Sequence, residues 1–197
     1  MKWFGRKRGS DDGDQEARPE DLQAVQEMID PYHSRASIVD GDRLVLQPGQ
    51  VLSNVALAME RLDNDINTPI SISDFVTEDE LMGMIKNLRL GALLSAHVVN
   101  TAMKIMSARY PAELVRRPLP DQYDLRKLHP IRLTDHEHET ARTIFNRRTA
   151  STADLEPDDL QPALKPMDSS EQMQVFMALF FMFGTKVGAM KYSTGIQ

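Results

Sequence analysis

Residues 173–190, MQVFMALFFMFGTKVGAM, are apolar almost throughout and gather four of the chain's seven Phe and four of its twelve Met. At about 100° per residue, Met173, Phe176, Leu179, Phe180, Phe183, Val187 and Met190 form one stripe of a helix. Met177, Phe181, Gly184 and Gly188 form a second stripe beside it. A helix apolar on nearly every side has to be covered, by its own domain, by another copy or by lipid. A bilayer span takes about 20 mostly apolar residues, and Lys186 interrupts this run after a dozen or so, so the pattern predicts a buried C-terminal helix packed on the core.

The second long pattern is Glu78–Arg109. Thr77 and Glu80 stand in capping-box spacing at its start, and Leu81, Met84, Ile85, Leu88, Ala92, Ser95, Ala96, Val99, Met103 and Met106 fall on one face. Leu90, Leu94, Val98 and Ile105 make an opposed strip, so this element is predicted to be a central helix contacted on two sides. Its small residues, Ala92, Ser95 and Ala96, make a waist where another helix can cross closely. The Gly184 and Gly188 face of the C-terminal helix is the expected partner, from the same chain or from another copy.

Shorter patterns complete the outline. Pro19–Asp30 reads as a docking helix with Leu22, Val25 and Ile29 on one face, stopped by Pro31. Ser37–Gln47 alternates around Asp-Gly-Asp as a small β-hairpin does, and Gln50–Ile66 returns to helical periodicity through Val51, Val55, Met59, Leu62 and Ile66. Seven of the eleven prolines lie between Pro111 and Pro166, which predicts extended linkers over Tyr110–Leu133 and Thr149–Ser169. Between them, Asp135–Arg148 is a polar helix with Ala141, Ile144 and Phe145 as apolar anchors. The expected fold is mainly α: an irregular helical bundle with a long central helix, a buried C-terminal helix, a small β-hairpin and extended proline-bearing arms. It divides into a charged N-terminal arm (1–18), a helical core with the hairpin (19–110), extended linkers around the polar helix (111–168) and the C-terminal helix packing on the core (169–197).

Composition narrows the function classes. The chain has no cysteine, which removes disulfides, thiolate metal ligands and cysteine nucleophiles. A net charge of −6 sets the chain as a whole against nucleic-acid binding, where a basic field is the rule. The one basic cluster with aromatic company is at the start, where Lys2, Trp3, Arg6, Lys7 and Arg8 could touch an anionic surface. Those basic residues are not followed by the apolar run of a signal peptide, so the expected location is the cytoplasm or the inside of an assembled particle.

The remaining chemistry has few candidates. Asp135-His136-Glu137-His138-Glu139 offers five metal-ligand types in a row, but helical ligand pairs need i,i+3 or i,i+4 spacing, as in His-Glu-x-x-His. Thr134 and Glu137 make a capping box that accounts for the acids as a helix start. His129 could join this cluster only if its loop folds back, and His33 and His97 have no identifiable partner. Arg142, Arg147 and Arg148 end the polar helix; the last two are expected to pair with acids or with the helix dipole rather than with nucleic acid. No Walker loop, Gly-x-Gly-x-x-Gly or Gly-x-Ser-x-Gly is present.

The sequence therefore points to a non-catalytic structural or assembly protein, of the shell, neck, minor-virion or secretion-machine kind, with protein partners, a homo-oligomeric state or a larger assembly, and with no cofactor, metal or small-molecule substrate. The expected interface is Met177, Phe181, Gly184 and Gly188 against Ala92, Ser95 and Ala96. Two alternatives stand beside it: a membrane-peripheral adaptor using Met1–Arg8 and the Phe/Met helix, and a metal-dependent enzyme at His136 and His138.

Overall fold

The structure, a computed structural model, describes residues 38–40, 43–64, 71–119 and 132–195. The N-terminal arm, the docking helix at Pro19–Asp30, His33 and His129 lie outside the described residues. Among the described residues seven α-helices follow one another: α1 (Pro48–Asn64), α2 (Glu78–Ile85), α3 (Leu88–Arg109), α4 (Ala112–Arg116), α5 (Asp135–Ala150), α6 (Pro157–Leu164) and α7 (Ser169–Thr194). The architecture is mainly α. Ahead of it, β1 (Ile38–Asp40) and β2 (Arg43–Leu46) are antiparallel backbone neighbours, while residues 47–64, 71–119 and 132–195 hold no strand. The expected hairpin over Ser37–Gln47 thus lies outside the strand-free helical part, and the side chains of β1 and β2 are outside the described set.

Local hydrogen bonding fixes most helix starts. Thr77 Oγ1 accepts from the Glu80 amide at 3.2 Å and the Glu80 carboxylate accepts from the Thr77 amide at 2.7 Å, so two otherwise orphaned donors are satisfied where α2 begins. Thr134 and Glu137 repeat the arrangement at α5. Asp168 does so at α7, taking the amides of Ser170 and Glu171 at 2.8 and 2.9 Å. That helix ends at Gly195, which takes a left-handed φ of 66° where a side chain would be strained.

Three sequence expectations need correction, one of them being that Tyr110–Leu133, expected as an extended linker, contains the short helix α4. The long helix predicted over Glu78–Arg109 is broken: α2 ends at Ile85, and Asn87 caps a new helix by accepting from the amides of Arg89 and Leu90 at 3.1 and 3.3 Å. An Asn side chain competes for backbone donors in this way more strongly than it supports a helix interior. Thr149–Ser169, expected as an extended linker, contains α6. Pro157 opens that helix, where its missing N–H costs nothing, and Pro157, Leu160 and Leu164 turn inward. α6 packs closely on α3.

α3 is the central element, with α1, α2, α5, α6 and α7 all packed against it. Leu94, Val98, Val99, Ala102 and Met106 are buried along its length, in agreement with contact on two sides. α7 lies across α3, α5, α1 and α2. Its first predicted stripe is covered, since Met173, Phe176, Leu179, Phe180, Phe183, Val187 and Met190 are buried; in the second Met177 is buried, Gly184 and Gly188 are half-buried, and half-buried Phe181 meets Phe180 edge to face at 6.4 Å between ring centroids. The polar helix α5 is more deeply set than its composition predicts. Besides Ala141, Ile144 and Phe145, it buries Glu137, His138, Arg148 and Thr149.

Candidate functional site

Of the expected interface residues on α7, Met177 is buried and Phe181, Gly184 and Gly188 are half-buried. Ala92, Ser95 and Ala96 are buried in the helical body. The space a Cβ would take at Gly184 is met by Leu62 Cδ2 at 2.9 Å, so the close neighbour of this glycine is α1 rather than the small waist of α3. On α3 the tight position is Gly91, where a Cβ would approach Gln172 Oε1 of α7 to 3.1 Å. Gln172 is buried there, its amide nitrogen donating to the carbonyls of Leu164 and Met167 at 3.2 and 3.0 Å, which ties the end of α6 to the start of α7.

Gly184→Ala is expected to leave stability nearly unchanged. The helix-propensity gain of about 1 kcal/mol offsets displacement of a flexible leucine methyl. Gly184→Leu forces α1 away from α7 and is expected to cost about 1–3 kcal/mol, read as a lower urea midpoint.

The histidine cluster is not a converging ligand set. His136 is exposed and His138 buried, on different sides of α5, and no group of three or more metal-ligating side chains occurs among the described residues. His97 has a partner that sequence could not supply: its Nε2 lies 2.9 Å from the Leu52 carbonyl oxygen. Burial, then the charge of Lys104, holds its pKa below the ordinary histidine value against the raising effect of that carbonyl.

Two polar networks cross-link helices. Asp63, wholly buried near the end of α1, accepts hydrogen bonds from the Arg109 guanidinium and, at 2.8 Å, from the Tyr110 hydroxyl. Arg109 also donates to Asn64 Oδ1 at 2.6 Å. Burial first, and then the Asp63 carboxylate, pushes the Tyr110 phenol above the ordinary tyrosine range. In the second network, buried Arg148 donates from Nε to Asn100 Oδ1 at 2.7 Å, from Nη1 to the Ser151 carbonyl at 3.0 Å and from Nη2 to Asp154 at 2.5 Å. Asn100 meanwhile exchanges bonds with the backbone of Leu155 at 2.9 and 3.0 Å. Arg147 pairs with Asp159 at 2.7 Å; the Glu156 amide first, and Arg147 after it, keep the Asp159 carboxyl below its usual pKa. Both arginines are thus paired with acids, as their position at the end of a polar helix predicts.

The least ordinary charged group is Lys186. It sits on α7 with 4% of its surface exposed, and its ammonium donates to the carbonyl oxygen of Arg117, just past α4. Among the described residues no carboxylate lies within ion-pair distance of it. Burial, and secondarily the Arg117 charge, lowers its pKa to about 8. It borders a groove of about 650 Å³ between the C-terminal half of α7 and the 114–119 segment, lined also by Leu114, Arg117, Pro118, Leu119, Gly188, Met190 and Tyr192. Sequence reasoning treated Lys186 only as an interruption of the apolar run. Its isolation there is the signal that could have marked it.

The titration has a definite sign. Below pH about 8 the lysine is protonated folded and unfolded, and the cost of burying its charge is fully present. Between about 8 and the ordinary lysine value of about 10.4 the unfolded chain holds the proton more tightly, so stability rises with pH. Urea midpoints from pH 7.5 to 10 are expected to climb in the wild type relative to Lys186→Met, in which this contribution is gone.

By length and composition α7 is sufficient to cross a membrane, which corrects the expectation that Lys186 makes the run too short. Two thirds of its most apolar window is nevertheless buried inside the chain, as in the core helix of a soluble protein. Comparison of the chain with protein-family models, curated proteins and solved structures gives no match.

Proposed function

We propose that the chain is a non-catalytic assembly protein, a cross-linked helical body that works through contact with copies of itself or with other proteins of a larger complex. The observation that carries this reading is how the strongest polar groups are used. Asp63, Arg109 and Tyr110 lock α1 to the end of α3, and Arg148, Asn100 and Asp154 lock α5 and the following loop to its middle. Such networks hold a surface in one shape, which suits a component whose task is positioning. Among the described residues, Leu57, 46% exposed on α1, and Tyr192, 93% exposed on α7, are the large apolar side chains most open to a partner. The charge-split sequence of residues 1–18 offers a partner groups of both signs.

Cross-linking of a mixture of isotope-labelled and unlabelled chains tests this reading. Links joining labelled to unlabelled peptides are expected, and links confined to single chains would count against self-assembly. The membrane-peripheral reading draws on a different feature, the basic and aromatic residues Lys2, Trp3, Arg6, Lys7 and Arg8. Flotation of the chain with anionic vesicles, abolished by neutralising those four cations, would favour it.

A further inference from the structure

We propose that the groove between the C-terminal half of α7 and the 114–119 segment binds an aliphatic carboxylate, with Lys186 receiving the carboxylate and Leu114, Pro118, Leu119 and Met190 receiving the chain.

An ammonium has three donors. One is taken by the Arg117 carbonyl, and among the described residues nothing accepts the other two. A buried charge without a counter-ion is costly, and here the nearest other charge on the groove is a second cation, Arg117. The unmet requirement is therefore a monoanion. The walls say what the anion must carry, because Pro118, half-buried Leu114 and buried Leu119 and Met190 present hydrocarbon, with the hydroxyls of Thr185, Tyr192 and Ser193 as the other polar groups on the α7 side. A volume of about 650 Å³ falls within the range of sites that enclose small organic ligands, roughly 300–1,000 Å³. The other depression, about 390 Å³ beside Lys104 and Arg116, lacks this unmet demand, since Arg148 on its wall is committed to Asn100, Ser151 and Asp154 and Lys104 stands 3.8 Å from the same Asp154.

The test is isothermal titration calorimetry of the full chain with decanoate, decanol and decyltrimethylammonium. Saturable one-to-one binding of decanoate is expected, with decanol at least tenfold weaker and the cationic amphiphile weaker still. Lys186→Met should raise the decanoate Kd at least tenfold while leaving decanol unaffected. Gly188→Leu, which keeps the lysine and fills the groove, should weaken both ligands, so the proposal remains testable if the methionine variant does not fold. Equal binding of decanoate and decanol, decanoate binding unchanged in either folded variant, or no saturable decanoate binding to the wild type would overturn it.

Discussion

A chain ending at Ser170 is expected to lose its fold, precipitating or showing the circular dichroism of an unfolded polypeptide. The deletion removes Met173, Phe176, Leu179, Phe180, Phe183, Val187 and Met190, all buried in the intact chain. Fully burying a side chain of this kind contributes about 1.5–3 kcal/mol, and a domain's whole stability is about 5–15 kcal/mol. Loss of all seven, on the order of 10–20 kcal/mol, matches or exceeds that margin. The same deletion also uncovers the faces of α1, α3 and α5 that pack on α7, leaving apolar surface that favours aggregation. A folded, soluble product with a cooperative urea transition would show that α7 is an appendage and that the core lies elsewhere.

Asp63→Ala is expected to give the largest effect of any single polar substitution, a loss of about 2–4 kcal/mol measured by urea unfolding. Removing one partner of a buried pair leaves the other groups desolvated and unmatched, which for fully buried pairs costs about 3–5 kcal/mol. The lower value applies because the Arg109 side chain is 45% exposed and water recovers part of its interaction. Tyr110 is buried and has no such recourse. Tyr110→Phe, which removes one donor and leaves the carboxylate paired with Arg109, should cost about 0.5–1.5 kcal/mol. If Asp63→Ala matches Tyr110→Phe, the carboxylate is not the centre of the link between α1 and α3.

What sequence reveals here follows the range of the interaction. The caps at Thr77, Thr134 and the helices they start were legible because a capping box is complete within four residues. The burial of α7 was legible because an all-round apolar helix has few alternatives. The break at Lys86-Asn87 was not, since the stripe of Leu81, Met84, Ile85, Leu88 and Ala92 continues in phase across it and hides the Asn cap. Nor was α6, where prolines that read as linker punctuation include one at a helix start. The neighbour of Gly184 was beyond reach for a different reason: small-residue spacing marks a close approach without saying which helix approaches, and Leu62 is more than a hundred positions away in sequence. Asp63 is likewise 46 and 47 positions from Arg109 and Tyr110, and Lys186 is 69 from the Arg117 carbonyl, too far for any local clue. Those long-range polar contacts contain most of the candidate site, so the fold was more legible than the site.

The mass of the full chain in solution, measured by light scattering over a wide range of concentrations, tests assembly most directly. An assembly protein should give a mass that is a multiple of 22.3 kDa or that grows with concentration. A constant mass of one chain at every concentration would contradict self-assembly.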